Sequence, residues 1–289
     1  MQGRFRRGIA IASVSGVATI YSRPEEYDLE HGDGEEDVAF YQRLVQRHGA
    51  RSLVELGCGS GRITLPLAEM ADDQDLRITG IDLSDDMLAQ AEAKIAGLPA
   101  TCRARVRLLK QDMRTFCMDP PVDLVIVPCS TMAHVLDLDD QLAVWRAARA
   151  SLVPGGRFVV DLTMPNLTAY VDSMASPPRA LVEMDIDHES NDGQRRLIRY
   201  KTIRYEAHRQ RAHVHFLYDS FEGDDDEQAR RSISDFESHV YFPRELQLLF
   251  RHTGFEIEAT YGGYRGERLR SRSSALVMIG RRPDEGTPV

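Results

Sequence analysis

The chain has 289 residues, 36 of them basic and 45 acidic, with a formal net charge of −9. Such a chain has room for a large hydrophobic core, but it lacks the positive surface with which a duplex-DNA binder displaces counterions. We therefore expect no DNA partner, and because no apolar run reaches the length of a membrane span, no membrane partner. The cysteines show neither C-x-x-C pairs nor zinc-like spacing, which indicates a reducing, cytoplasmic location and no metal site. They are Cys58, Cys102, Cys117 and Cys129.

The N-terminal segment combines three arginines (Arg4, Arg6 and Arg7) with a short apolar stretch over 8–12. This pattern faintly resembles a signal peptide. Small polar residues soon interrupt the apolar stretch, and no A-x-A cleavage site follows it. We therefore expect residues 1–26 to form an N-terminal arm.

From residue 53 to 162, short apolar runs alternate with helical patterns. The runs lie at 53–56, 76–81, 106–109, 122–127 and 157–162, and the helical patterns at 63–71, 85–96 and 139–152. Alternation of this kind predicts βαβ units and an α/β fold with a mostly parallel sheet.

After residue 164 the pattern changes to that of antiparallel strands, which we expect over 180–240. Within it, apolar residues alternate with polar ones from Ala212 to Tyr218, a period of two that predicts one buried face. A helical pattern then returns after Pro243. The predicted organisation is a core at 27–164 and 241–283, with a β-rich insertion at 165–240 that serves as a substrate cap or a dimer interface.

A glycine-rich loop follows the first predicted core strand. Gly57, Gly59 and Gly61 let the backbone turn tightly and approach a ligand, and the next helix offers free N–H groups. The dinucleotide fingerprint has a third glycine where this chain has Arg62. The Glu55 carboxylate would repel a pyrophosphate but suits an ammonium or sulfonium charge. The loop therefore favours S-adenosylmethionine over NAD.

Two further carboxylates follow the next predicted strands. Asp82 comes about twenty residues after the glycines, where an acid accepts hydrogen bonds from ribose hydroxyls. Asp112 follows the next strand and is suited to the adenine amino group, with Met87 and Met113 packing on the ring. Strands of a parallel sheet end at one edge, so these acids are expected to meet there.

Segments 55–61, 80–84, 111–113 and 152–161 resemble the ordered motifs of class I S-adenosylmethionine-dependent methyltransferases. The resemblance implies a Rossmann-like seven-stranded sheet with one antiparallel strand, helices on both faces, and S-adenosylmethionine as cofactor. More narrowly, the chain is similar to bacterial small-molecule enzymes such as aminosugar N,N-dimethyltransferases and glycine N-methyltransferase. The residues and the resemblance together predict a cofactor site of Tyr27, Glu55, Gly57, Cys58, Gly59, Gly61, Asp82, Leu83, Met87, Asp112, Met113 and Pro128.

The resemblance and the chemistry nominate two catalytic candidates. In such enzymes an N-terminal tyrosine often closes over the cofactor, which implies Tyr27 first and Tyr41 second; the alternative is an aromatic that packs the N-terminal helix. His134 lies just beyond the strand at 122–127, where an imidazole can take the proton from an attacking amine or hydroxyl. Its alternative role is a helix cap. Cys129 is not expected to act as a nucleophile, because direct methyl transfer needs no covalent enzyme intermediate.

Two observations bear on the acceptor. Enzymes that methylate bases of nucleic acids resemble D/N-P-P-Y/F after the fourth strand, whereas residues 128–131 read Pro-Cys-Ser-Thr, which argues against base methylation. The basic run over 195–211 suits either an anionic substrate group or an exposed strand face. His213 and His215 lack a third ligand and predict no metal site.

The predicted function is transfer of a methyl group from S-adenosylmethionine to a nitrogen or oxygen of a small molecule. If the insertion serves as a dimer interface rather than a substrate cap, the enzyme is a homodimer. The alternatives are a non-catalytic S-adenosylmethionine-binding protein, a nicotinamide-dependent oxidoreductase and an RNA methyltransferase.

Overall fold

The structure, a computed structural model, describes residues 10–17, 20–31, 34–70, 75–175, 182–190, 193–222 and 228–284. Arg4, Arg6 and Arg7 of the predicted N-terminal arm lie outside these ranges. The helices are α1 Pro24–His31, α2 Glu35–His48, α3 Thr64–Ala68, α4 Asp85–Ala96, α5 Ala100–Arg103, α6 Leu138–Ser151, α7 Leu167–Met174 and α8 Pro243–His252. The strands are β1 Ala10–Val17, β2 Ser52–Leu56, β3 Arg77–Asp82, β4 Val106–Lys110, β5 Val122–Val127, β6 Leu152–Thr163, β7 Glu183–Glu189, β8 Arg195–Glu206, β9 Arg211–Glu222, β10 Gln228–His239, β11 Glu256–Tyr261 and β12 Ala275–Arg281.

The chain divides into two compact units, Asp33–Pro165 with Ser238–Val289, and Met1–Gly32 with Asn166–Glu237. We call them the core unit and the insertion unit. The core unit holds a seven-stranded sheet in the order β11-β12-β6-β5-β2-β3-β4. β2 is parallel to β3 and β5, and β12 is antiparallel to both of its neighbours. The predicted α/β fold, with one antiparallel strand and an insertion after the fifth core strand, is confirmed.

Both faces of this sheet are buried because successive residues of a strand point to opposite sides. On β2, Leu53 packs in one apolar cluster with Tyr41 of α2, and Val54 packs in the other with Trp145 of α6. Trp145 also meets Phe250 of α8 edge to face, with ring centroids 5.7 Å apart. Helices therefore cover both faces, as predicted. The order of the strands reverses between β2 and β5, because β3 and β4 are added on one side of β2 and β5 and β6 on the other. Open α/β sheets bind ligands at such a switch point.

Two local predictions had different outcomes. Ser84 caps α4 as expected, because its hydroxyl accepts the Met87 N–H at 3.3 Å. The fifth core strand begins at Leu152, five residues before the predicted start at 157. A left-handed glycine, Gly155 at φ +77°, lies within this strand rather than in a turn before it.

The insertion unit contains a five-stranded sheet in the order β1-β10-β9-β8-β7. The predicted apolar face of β9 is confirmed, since Ala212, Val214, Phe216 and Tyr218 are buried. Within the expected N-terminal arm, Ala10–Val17 forms an edge strand of this sheet that pairs in parallel with β10.

Helix α1 is also fastened to this sheet. Its Glu30 side chain is 4% exposed, forms an ion pair with Arg199 of β8 and accepts the Tyr218 hydroxyl at 2.9 Å. The chain around residue 30 therefore belongs to the insertion unit.

Candidate functional site

The glycine loop after β2 is packed on one side and open on the other. Gly57, Gly59 and Gly61 have φ values of +71°, +54° and +84°, which favour glycine. A Cβ on Gly57 would lie 2.3 Å from Cγ2 of Thr131, whereas no atom lies within 4 Å of a Cβ on Gly59. The loop therefore leaves room for a ligand at Gly59.

Asp82 at the end of β3 is held against this loop. One carboxylate oxygen accepts the Gly59 N–H at 2.8 Å, and the other accepts the Ser84 N–H at 2.8 Å. The structure thus brings Asp82 and the glycines together at the carboxyl edge of the sheet. Of its predicted neighbours, Leu83 is 57% exposed and Met87 is buried in α4. Their contacts with a cofactor remain predictions.

Glu55 is a buried carboxylate beneath the loop, 2% exposed. The Thr64 hydroxyl donates a hydrogen bond to it. Burial raises the pKa of Glu55 from 4.5 to about 8, and the bond from Thr64 and the charge of Arg62 offset only part of this effect. A ligand with a positive charge at this position would stabilise the ionised form.

Asp112 has a partner that the sequence reasoning missed. Its carboxylate accepts hydrogen bonds from the Arg114 guanidinium, the shortest at 2.6 Å, and Arg114 also reaches Asp140 at 2.7 Å. The bond from Arg114 lowers the pKa of Asp112. An adenine amino group would have to share this carboxylate, so the predicted adenine contact stays a prediction. Met113 lies beside it, partly buried against the core.

Arg62, which replaces the third glycine of the dinucleotide fingerprint, forms a polar cluster at the same edge. Its guanidinium pairs with Asp37 of α2, and Nη1 donates to the Gly34 carbonyl at 3.1 Å. Nη2 lies 2.6 Å from Sγ of Cys129, the residue two positions beyond β5. The arginine in place of the third glycine was the sequence signal for this cluster, but the partners of Arg62 could not be predicted from that substitution.

Asp161 near the end of β6 is a second unpredicted member of this edge. It is 1% exposed, and it accepts hydrogen bonds from the Tyr41 hydroxyl, the Cys129 N–H at 2.9 Å and the Tyr264 hydroxyl at 3.3 Å. Burial raises the pKa of Asp161 to about 6. Tyr41 is fully buried by this arrangement and does not fit the role of a tyrosine that closes over a cofactor.

The turn after β5 carries His134. Cys129 and Ser130 both have positive φ, at 57° and 59°, and the Pro128 carbonyl accepts the Thr131 hydroxyl at 2.7 Å. The short 3-10 helix Thr131–His134 follows. His134 is exposed, while the surrounding protein desolvates the ring enough to lower its pKa. Its role as a base remains a prediction.

Tyr27 belongs to the insertion unit. It lies on α1, half-buried, with its ring stacked on His31 at a centroid distance of 4.2 Å. This contact is compatible with the alternative of an aromatic that packs a helix. Its predicted place over a cofactor remains a prediction.

The basic run of the insertion is largely neutralised by carboxylates of its own sheet. Arg196 pairs with Asp187 at 2.7 Å and Arg199 with Asp185 at 2.7 Å. His213 lies 3.0 Å from Glu206. This pairing favours the interpretation of the run as a strand face. Within the described ranges, no group of three or more His, Cys, Asp or Glu side chains is arranged to hold a metal ion.

None of the helices in the described part of the chain is long and apolar enough to span a membrane.

Residues 53–156, which contain Glu55, the glycine loop, Asp82 and Asp112, match the model of the methyltransferase domain family. The chain carries a methyltransferase domain. The family resemblance drawn from the motifs is confirmed.

Relatives of the methyltransferase domain agree with this assignment. The chain is 29% identical over 111 residues to a putative methyltransferase YqeM of Bacillus subtilis, covering 38% of this chain and 41% of that one. It is 29% identical over 113 residues to the dTDP-4-amino-2,3,4,6-tetradeoxy-D-glucose N,N-dimethyltransferase of Saccharopolyspora spinosa, covering 39% and 40% of the two chains. The chain thus spans about two-fifths of the length of these curated relatives.

The fold extends well beyond the matched domain. The sugar N-methyltransferase KedS8 of Streptoalloteichus superimposes with a TM-score of 0.66 at 20% identity, covering 98% of this chain and 100% of that one. At this identity the superposition establishes the fold.

Proposed function

We propose that the protein transfers a methyl group from S-adenosylmethionine to an amino nitrogen of a small molecule. The observation that carries the proposal is the glycine loop, open at Gly59, bonded to Asp82 on one side and lying over the buried Glu55 carboxylate.

The charge balance at the sheet edge fits a cationic cofactor. Glu55, Asp37 and Asp161 are three buried carboxylates, and Arg62 is the guanidinium that lies among them. Burial of unpaired charge is unfavourable, which is why the pKa of Glu55 is raised. Glu55 and the loop would hold the charged methionyl end of S-adenosylmethionine, and Asp82 its ribose. The cofactor supplies an activated methyl group with a good leaving group.

The chain's own contribution is then alignment, exclusion of water and removal of a proton. An amine attacks only in its neutral form. His134, whose pKa is lowered by desolvation, is the proposed acceptor of that proton.

Nitrogen is favoured over oxygen as the methyl acceptor. The Saccharopolyspora relative and the KedS8 protein are named for N-methylation of sugars. A third relative, a cypemycin N-terminal methyltransferase of a Streptomyces species, is 22% identical over 231 residues, covering 79% of this chain and 82% of that one. These names support an amine but leave the rest of the acceptor open.

The test is incubation with methyl-labelled S-adenosylmethionine and a panel of nucleotide-linked aminosugars, with the matching hydroxyl sugars as controls. We expect label transfer to one or more amines and none to the hydroxyl analogues. Asp82→Ala serves as the cofactor-site control and should reduce labelling at low cofactor concentration. Binding of S-adenosylhomocysteine without transfer to any acceptor favours the non-catalytic alternative. A thermal shift with NAD but not with S-adenosylhomocysteine would refute the proposal. Transfer of the label to RNA would favour an RNA methyltransferase instead.

We also propose a homodimer formed through the insertion unit, and a reducing cytoplasmic location. The four cysteines are free thiols, in keeping with such a compartment. Analytical ultracentrifugation tests the dimer, and a monomer at micromolar concentration would refute it.

A further inference from the structure

The turn after β5 adopts a conformation that neither of its residues favours. Cys129 and Ser130 are consecutive non-glycine residues in the left-handed region, at φ 57° and 59°. Such residues persist only where the surrounding structure holds them, and they concentrate at functional sites.

Asp161 and its neighbours on β6 hold both residues of the turn. The Asp161 carboxylate accepts the Cys129 N–H at 2.9 Å, and the Asp161 carbonyl accepts the Ser130 N–H at 3.2 Å. The Ser130 hydroxyl in turn accepts the Thr163 N–H at 2.9 Å. The strand pairing places Val127 opposite Val160, so Asp161 stands immediately beyond the last paired residue, beside the turn.

The carboxylate itself cannot move away easily. Asp161 is 1% exposed, and it accepts hydrogen bonds from the hydroxyls of Tyr41 on α2 and of Tyr264 in the loop between β11 and β12. A buried carboxylate with three donors has a defined orientation. Asp161 therefore imposes a fixed position on the Cys129 backbone.

The turn determines where two parts of the proposed site lie. Thr131, directly after it, has its methyl carbon 2.3 Å from the position of a Cβ on Gly57, so it fits against the loop only because that residue is glycine. His134 lies at the end of the same 3-10 helix. A change in the turn would therefore shift both the wall of the glycine loop and the candidate base.

We propose that Asp161 is a positioning residue for methyl transfer, which holds the Cys129–Ser130 turn so that Thr131 stays against the glycine loop and His134 stays at the sheet edge. This inference rests on the proposed function.

The test compares Asp161→Val with Asp161→Asn. Both remove the charge at nearly constant volume, but asparagine keeps an oxygen for the Cys129 N–H and valine does not. We expect Asp161→Val to lower kcat by about 10- to 100-fold, the scale of an ångström-sized misplacement, with a smaller loss for Asp161→Asn. The Kd of S-adenosylhomocysteine should rise by a smaller factor than kcat falls, because Glu55 and Asp82, two of its predicted ligands, are on other strands.

Rescue separates positioning from a general loss of stability. Adding Cys129→Gly to Asp161→Val should restore kcat by about threefold or more, since glycine adopts the left-handed conformation at this position without the carboxylate. The matched control is Asp123→Val, since Asp123 is a carboxylate at the opposite end of β5 that accepts the Ser52 N–H at 2.9 Å. It should lower the melting temperature without changing kcat.

If Asp161→Val does not fold, Ser130→Val perturbs the turn without touching the core, because a β-branched residue is strained at this φ. It should then lower kcat by at least about threefold. Wild-type kcat in a folded Asp161→Val, or an unchanged kcat in Ser130→Val, overturns the positioning role. A wild-type protein that methylates no amine overturns the proposed function, a result distinguishable from the first because it precedes any substitution.

Discussion

Replacement of Glu55 by glutamine should make the ligand-free protein more stable at alkaline pH. The wild-type carboxyl is 2% exposed, and burial raises its pKa from 4.5 to about 8. Between these two values the folded state keeps a proton that the unfolded state has lost. Stability from this group is therefore fully present below about pH 4.5 and is lost progressively as the pH rises to about 8.

The size of the effect follows from the same two values. Each pH unit in this window costs the wild-type fold about 1.4 kcal/mol, so the loss at the alkaline end is on the order of 3–5 kcal/mol. Glutamine does not titrate, and its amide oxygen still accepts the Thr64 hydroxyl. Glu55→Gln should thus match the wild type near pH 5 and exceed it by a few kcal/mol near pH 8.5.

Urea unfolding monitored by tryptophan fluorescence is the assay, because the single tryptophan, Trp145, is buried in the core unit. The control is Glu92→Gln at an exposed position of α4, which should leave the pH dependence unchanged. A stability difference between Glu55→Gln and wild type that is the same at both pH values would refute the reasoning, as would a less stable variant at alkaline pH.

Three further outcomes are expected. Gly57→Ala should weaken S-adenosylhomocysteine binding by at least about tenfold, because the added methyl group meets a threonine methyl carbon at 2.3 Å. Gly49→Ala, at a helix end with a similar φ of +57°, should lower only the melting temperature; equal binding by both variants would contradict this. Asp82→Ala should cost at least about 1 kcal/mol of S-adenosylhomocysteine affinity in calorimetry, and unchanged affinity would refute the ribose assignment. Arg199→Met should destabilise the fold by about 3 kcal/mol in urea, since it leaves Glu30 buried without its cation. Adding Glu30→Gln to Arg199→Met should recover most of the lost stability. No recovery would show that the Arg199–Glu30 ion pair is not the cause of the loss.

The order of strands and the glycine loop were predictable because their signals are local. Hydrophobic runs and helical periods report which face of each segment is buried. Parallel strands all end at one edge, so Asp82 could be placed beside the glycines from its position after a strand. The bond from the Gly59 N–H to Asp82 agrees with that reasoning.

Other local features escaped prediction for identifiable reasons. Asp112 was predicted to accept a hydrogen bond from the adenine amino group, but the bonds that the Arg114 guanidinium, two residues away, donates to its carboxylate were not predicted. Helix α7 was missed because it is a short segment with exposed apolar residues such as Leu167 and Val171. The N-terminal segment has a weak strand pattern and acquires its structure by pairing with β10.

By itself, therefore, the sequence determined the α/β fold, the methyltransferase motifs and the carboxylates at successive strand ends, because each depends on residues close together in the chain. The tertiary structure alone decided which polar groups share the edge of the sheet. Tyr41 and Asp161 are 120 residues apart, and Arg62 and Cys129 are 67 apart. Their contacts exist because the sheet places β2, β5 and β6 side by side and α2 packs against it, and no local pattern encodes which side chains meet at that edge.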